Sequence, residues 1–345
     1  MRAFVNPGLR TSAVPAPSTD AIGFHATLPG YRPTPLRPLI DVAVELGLGA
    51  VALKDESDRL GLPAFKVLGA SWAVERALRQ RPGTRMLVAA SAGNHGRAVA
   101  RVAALRGLGC RIYLPAHSAA ARREAIAAEG AEVVVTAGSY EGAVARATAA
   151  GREPGAIEIA DVGESGPAHW VIDGYQTLFA EIEAEGGCDV LIVPVGVGSL
   201  AAAAARYGAR AGVVIVGVEP ATAACLTASL TAGTPTPVAN PGTSMAGLDC
   251  AEISATAWPS LRDGIAGMVT VTDAEAHAAM RELAAAGLVI GDCGAAPLAA
   301  LRALAGERAL APVRAAVGLG SHSQVVLIAT EGATDPAAYV SAVTA

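Results

Sequence analysis

Short apolar runs alternate with amphipathic or alanine-rich helical stretches from about residue 50 to the C-terminus. Repeated alternation of this kind buries its faces by laying successive strands parallel with helices on both sides, so the chain reads as α/β. The pattern predicts strands at Val51–Lys54, Arg85–Ala89, Arg111–Leu114, Glu132–Val135, Val190–Pro194, Val213–Val218, Met268–Val271 and Val325–Ala329. It predicts helices at Lys66–Gln80, Asn94–Leu108, Ala119–Glu129, Glu141–Ala150, Gly174–Glu185, Leu200–Gly208, Asp273–Ala286 and Ala295–Leu304. Compositional breaks near Gly83 and Gly166 suggest a large domain (1–82 and 167–345) with a small inserted α/β domain (83–166) of four strands. Residues 1–38, rich in Pro and Gly, are expected to be an extended N-terminal arm ahead of a first helix near Leu39–Leu46. Two open, twisted, mostly parallel sheets flanked by helices would leave an interdomain cleft, and that is where an active site is expected.

A chain of 345 residues, 52% hydrophobic and 17% charged, can bury a real core and is not disordered. Its net charge of -5 argues against nucleic acid as a partner. The uncharged stretch Val190–Ala205 contains Pro194, Gly196 and Gly198 and ends at Arg206, too short and interrupted to span a membrane. No apolar segment follows Arg2 in the manner of a secretory signal, so a cytoplasmic setting is expected. The cysteines Cys110, Cys188, Cys225, Cys250 and Cys293 lack metal-ligand spacing and read as buried free thiols, although Cys293 lies in a glycine-rich GDCGA turn that could face a site. His25, His117, His169, His277 and His322 likewise lack metal-ligand spacing, and no metal site is expected. Tyr175 reads as a core residue.

The basic residues are more informative: 24 are arginines and two are lysines, Lys54 and Lys66. Where a chain replaces lysine so thoroughly, a surviving lysine is either a chance remnant or needed for chemistry a guanidinium cannot do. An ammonium can lose its proton when desolvated and then attack a carbonyl carbon. Lys54, beside Asp55 and Glu56, is expected to keep its proton as an ion-pair partner. Lys66, flanked by Phe65, Val67 and Leu68, is the candidate nucleophile and base.

Two turns add to this. Ser91-Ala92-Gly93-Asn94-His95-Gly96 lies between an apolar strand and a helix, where clustered backbone N–H groups can hold an anion and Asn94 and His95 can hydrogen-bond a ligand. The loop from Pro194, with Gly196, Val197, Gly198 and Ser199, also follows a strand and opens a helix; its glycines allow close approach to a phosphate. It is neither a Walker loop nor a GxGxxG loop.

A reactive lysine, an anion-binding turn and a monophosphate cup together describe a pyridoxal 5'-phosphate (PLP) enzyme. The chain resembles the tryptophan-synthase-β-like, or fold type II, PLP enzymes across nearly its whole length. Within them it is most similar to the diaminopropionate ammonia-lyase family, through KDESDRLGLPAFKVLGAS, AGNHGRAVA, IADVGES, GYQTL, PVGVGSLA, VGVEP, SMAGLDC and IATEGATDP. The resemblance implies that Lys66 forms the Schiff base and returns as a proton carrier. It implies that Asn94 contacts the ring hydroxyl, that Gly196–Ser199 cradle the phosphate, and that Thr330 lies near the pyridine nitrogen. Ser91, Ala92, Gly93, Asn94 and His95 would bind the substrate carboxylate, and Asp161 would bind or protonate the leaving group. The family habit is a homodimer acting on a small amino acid.

Three departures bear on specificity. Where the ammonia-lyases carry Thr-Asp-Gly-Asn-His-Gly, with the aspartate a base toward one enantiomer, this chain has Ala92. The Trp-Glu-Gly-Tyr block is replaced by VGESGPAHW, and Gly-Glu-Ser-Gly-Ala reads Gly291-Asp292-Cys293-Gly294-Ala295. The expected reaction is α,β-elimination on a β-substituted amino acid, foremost L-2,3-diaminopropionate, to pyruvate and ammonia, with little or no activity on the D form. The alternatives are a serine/threonine dehydratase, a β-replacement synthase in a biosynthetic pathway, or a catalytically idle PLP-binding protein.

Overall fold

The computed structural model describes residues 2–116, 118–138, 140–163 and 166–344. His117, and Glu164 and Ser165 of the VGESGPAHW segment, lie outside them. The described residues form strands β1 (Ala3–Val5), β2 (Leu36–Pro38), β3 (Ala50–Asp55), β4 (Met86–Ala90), β5 (Gly109–Pro115), β6 (Glu132–Thr136), β7 (Ala156–Glu158), β8 (Val190–Pro194), β9 (Val214–Pro220), β10 (Ile265–Val271) and β11 (Gln324–Ala329). Every strand expected from the sequence is present. No helix among the described residues is long and apolar enough to cross a membrane.

The larger sheet has the order β1-β10-β9-β8-β11-β3-β2. It is parallel except at its edges, where β1 pairs antiparallel with β10 and β2 with β3. Central strands covered on both faces are apolar throughout: β8 and β10 are buried along their whole length. The alanine richness serves this arrangement, since Ala201–Ala205, at the centre of helix Ser199–Ala211, are all fully buried. Side chains that small let a helix sit close to its sheet. The smaller sheet, β6-β5-β4-β7, is entirely parallel.

The residues group into two units, Met1–Phe65 with Tyr175–Ala345, and Lys66–Gly174. These boundaries differ from the expected breaks near Gly83 and Gly166, because helices Lys66–Gln80 and Pro167–Gly174 belong with the smaller sheet. The two helices meet without room for a side chain: a Cβ on Gly174 would lie 2.7 Å from the Leu68 carbonyl oxygen and 2.8 Å from the Gly69 Cα. No compositional signal marks such a junction.

The N-terminal region also departs from the expected arm. It contains β1, helix Asp20–Ala26 and β2, and it is tied down by Arg2, which donates to Glu275 and Glu307 at 2.6 and 2.5 Å. Asn6 donates to the carbonyls of Arg262 and Ile265. Three-residue edge strands are too short to show alternation and exist through their pairing, as does β7, the fourth strand of the smaller sheet.

Candidate active site

Lys66 begins helix Lys66–Gln80, and its Nζ donates to Oδ2 of Asp161, just beyond β7, at 2.9 Å. Both side chains are largely covered, with relative exposures of 21% and 14%. Burial alone would push the Asp161 carboxyl up; neighbouring His95 and Lys66 outweigh it and hold the group well below the usual carboxylate range. Sequence reading placed Lys66 free of adjacent acids, which holds locally. The fold supplies an acid from 95 residues away.

The asparagine turn follows the C-terminal end of β4, and Asn94 is the first residue of helix Asn94–Leu105. Ser91, Ala92, Gly93 and Asn94 are half-buried. Ser91 Oγ accepts from Gly93 N at 3.2 Å, and a Cβ on Gly96 would lie 2.8 Å from the Ser91 carbonyl oxygen, so the turn closes tightly on the first helical turn. His95 does not fit the simple expectation of a ligand-binding ring. It is 3% exposed, and both ring nitrogens face the segment after β7: Nε2 lies 2.7 Å from the Ile159 carbonyl oxygen and Nδ1 3.8 Å from Asp161 Oδ2.

In the larger-sheet unit, Gly196, Val197 and Gly198 link β8 to helix Ser199–Ala211. A Cβ on Gly196 would lie 2.7 Å from the Gly247 carbonyl oxygen. Gly198 has φ +94°, and a Cβ there would lie 2.6 Å from Leu261 Cδ1. Both positions therefore need glycine. Gly198→Ala is expected to cost about 1–2 kcal/mol of stability, read from the urea midpoint. Thr330 follows β11, is 5% exposed, and its Oγ1 has no hydrogen-bond partner. A run of close approaches joins it to the glycine loop. Gly247 faces Gly196 and Cys293, while Gly294, in helix Asp292–Gly306, faces the Thr330 backbone nitrogen.

Several residues take roles the sequence did not reveal. Lys54 is an ion-pair partner as expected, but not of Asp55 or Glu56: its buried Nζ meets Glu181 Oε2 at 2.8 Å and donates to the Thr34 carbonyl at 2.6 Å. Adjacent strand residues point to opposite faces, which separates Lys54 from Asp55, and Glu56 is taken by Arg59 at 2.5 Å. Cys293 is buried; burial, then the Glu331 and Asp292 carboxylates, push its thiol well up, so it is a poor nucleophile. Asp292, Cys293 and Glu331 bring their ligand atoms within 4.8 Å of one another, a grouping that spacing could not show. All five cysteines are free. His25 is fully buried with Nδ1 2.6 Å from Thr177 Oγ1, His277 Nε2 lies 3.0 Å from Ser244 Oγ, and Tyr175 is a core residue against Phe65.

The sequence model of pyridoxal-phosphate dependent enzymes matches residues 27–319. A diaminopropionate ammonia-lyase of Salmonella typhimurium is 32% identical, over 93% of this chain and 90% of its own. The crystal structure of the Escherichia coli diaminopropionate ammonia lyase, in complex with an aminoacrylate-PLP azomethine reaction intermediate, superposes with a TM-score of 0.91 at 29% identity, covering 99% of this chain and 96% of that one. A biosynthetic L-threonine dehydratase of Corynebacterium glutamicum is 34% identical over 59% of this chain and 47% of its own. The chain belongs to the diaminopropionate ammonia-lyase family of PLP-dependent enzymes. Its residues fit the cofactor: a largely covered lysine amine, a loop whose two glycines exclude a Cβ, and a buried threonine hydroxyl left without a partner.

Proposed function

We propose that this chain catalyses α,β-elimination on 2,3-diaminopropionate, with the L enantiomer preferred, releasing pyruvate and ammonia. The observation that carries the reading is the Lys66 amine held 2.9 Å from an ionised Asp161, a pair presenting both a base and an anion for a substrate with two amino groups. Lys66 would hold PLP through its amine, Gly196–Ser199 its phosphate, Asn94 its ring hydroxyl, and Thr330 would face its ring nitrogen. PLP bound at these residues supplies an electron sink for the pair left on Cα, and a neutral hydroxyl at the ring nitrogen favours elimination over transamination. Lys66, freed by the incoming substrate amine, takes the Cα proton. Asp161 binds the second ammonium group and guides the departing nitrogen. The N–H groups of Ser91–Asn94 hold the substrate carboxylate.

Ala92 offers no base, so proton removal comes from Lys66 alone and from one face. The test is pyruvate and ammonia release by the PLP-loaded protein given L- and D-2,3-diaminopropionate, with L-serine and L-threonine as controls. Release from the L-diamine is expected; a D rate near the L rate sinks the stereochemical inference. Ala92→Asp is expected to raise the D rate by about 100-fold, the contribution of one placed base. A second reading, serine/threonine dehydratase, is favoured by the SAGNHG turn and by the similarity to threonine dehydratase, and faster turnover of L-serine or L-threonine would establish it. The free thiols support a cytoplasmic setting, and the family habit supports a homodimer.

A further inference from the structure

Two carboxylates and a thiol converge where helix Asp292–Gly306 begins. Asp292, Cys293 and Glu331 place one ligand atom each within 4.8 Å of the others, with Cys293 and Glu331 buried and Asp292 half-buried. A tetrahedral zinc ion, with Zn–S of about 2.3 Å and Zn–O of about 2.0–2.2 Å, sets its ligand atoms about 3.5 Å apart, so side-chain shifts of about 1 Å close the set. The two stretches of chain that supply the ligands are tied together, since Gly291 N donates to the Glu331 carbonyl at 3.0 Å.

The surroundings hold the ligands in place, as the outer partners of a metal site do. Cys293 N donates to Asp292 Oδ1 at 2.8 Å, and the Ser244 hydroxyl, 3.0 Å from His277 Nε2, faces the same carboxylate. The Gly247 N–H faces the Cys293 sulfur. Glycines keep space open on two sides: a Cβ on Gly247 would lie 3.2 Å from Cys293 Sγ, and one on Gly291 would lie 3.5 Å from Glu331 Oε1. One residue before Glu331, the Thr330 hydroxyl is buried without a hydrogen-bond partner. Cys293 is also where the chain departs from the family block Gly-Glu-Ser-Gly-Ala, a sulfur replacing an oxygen beside two carboxylates.

We propose that Asp292, Cys293 and Glu331 form a binding site for one divalent cation of the zinc class, with water in the fourth position. A sulfur ligand selects such an ion over magnesium or calcium, which take oxygen ligands. Binding forms one metal–sulfur and two metal–oxygen bonds; the S–H bond breaks, its proton passes to the buffer, and nothing is oxidised or reduced. The ion would brace the glycine loop from behind, because Gly247 packs against both Cys293 and Gly196. The site does not depend on the reaction proposed above.

The test is equilibrium dialysis of the PLP-loaded protein, freed of metal by a chelator and of unbound PLP by gel filtration, against zinc chloride at pH 7. One zinc per chain is expected, retained in a large excess of magnesium chloride. Cys293→Ser, which restores the family residue, and Glu331→Gln should each weaken zinc binding by about 100-fold or more, and Ser244→Ala, which removes only an orienting group, by about tenfold. Cys110→Ala, which removes a buried thiol of the smaller sheet, should leave the affinity unchanged. Zinc should raise the urea midpoint of wild type and leave that of Cys293→Ser where it is, since an ion bound only by the folded state stabilises it. The midpoint without zinc shows that the variant folds. Equal zinc affinity in wild type and Cys293→Ser, or an equal loss in Cys110→Ala, would overturn the proposal.

Discussion

Replacing Lys66 with alanine is expected to lower pyruvate formation from L-2,3-diaminopropionate by about 1,000-fold or more, because in the proposed reaction one substitution removes both the covalent anchor and the Cα base. The informative companion is Lys66→Arg. A guanidinium keeps a positive charge toward Asp161, so the ion pair and the local fold survive, yet it does not lose its proton to attack a carbonyl. Both variants should therefore be inactive and should lack the Schiff-base absorbance band when mixed with PLP, while Lys66→Arg keeps the thermal midpoint of the wild type. Appreciable turnover by either would mean that another group does the work of Lys66. Only one other lysine exists in the chain, and it is fully buried and ion-paired with Glu181.

Arg59→Ala is expected to destabilise the protein by about 3–5 kcal/mol, the usual cost of removing one partner from a buried ion pair. Arg59 is 1% exposed and donates to Glu56 at 2.8 and 2.5 Å, to Glu181 at 2.7 and 2.8 Å and to Thr34 Oγ1 at 2.9 Å. Without it, Lys54 would still face Glu181, while Glu56 would lose the cation it is paired with. The same network sets a pH dependence. Burial works to raise the Glu181 carboxyl, but Arg59 and then Lys54 outweigh it and bring the group down to about 2 from 4.5. A carboxyl lowered in the folded state contributes stability above its unfolded value, and that contribution is lost as pH falls through the folded one. The advantage of wild type over Arg59→Ala should thus be complete above about pH 5 and shrink steadily toward pH 2. Urea midpoints for both proteins across that range provide the check; an advantage unchanged at pH 3 would rule out Glu181 as its source.

The cluster has a further consequence for the lysine argument. Lysine scarcity singles out Lys54 and Lys66 equally, and local sequence leads to different expectations for the two. The actual partners are nonetheless remote in both cases, Glu181 for Lys54 and Asp161 for Lys66. A strand places neighbouring side chains on opposite faces, so Asp55 was never available to Lys54. Asp55 instead approaches Arg37 and accepts from Ser57.

Local physics determined what could be read directly. Apolar runs long enough to be buried on both faces marked the central strands, and the glycine turns at Ser91–Gly96 and Gly196–Gly198 were legible because steric permission at a strand-to-helix turn is a property of the few residues involved. The scarcity of lysine marked Lys66 by its side-chain chemistry alone. Tertiary structure decided the rest. Strands β1, β2 and β7 carry too few residues to declare themselves, and the boundary at Lys66 and Gly174 depends on a helix contact with no Cβ between. The pairing of Asp161 with Lys66, the turning of His95 Nδ1 toward that carboxylate, and the burial of Arg59 among two glutamates join residues from distant parts of the chain. Charge and hydrogen bonding act through a few ångströms of space whatever the separation in sequence, so these partners became definite only when the chain had folded.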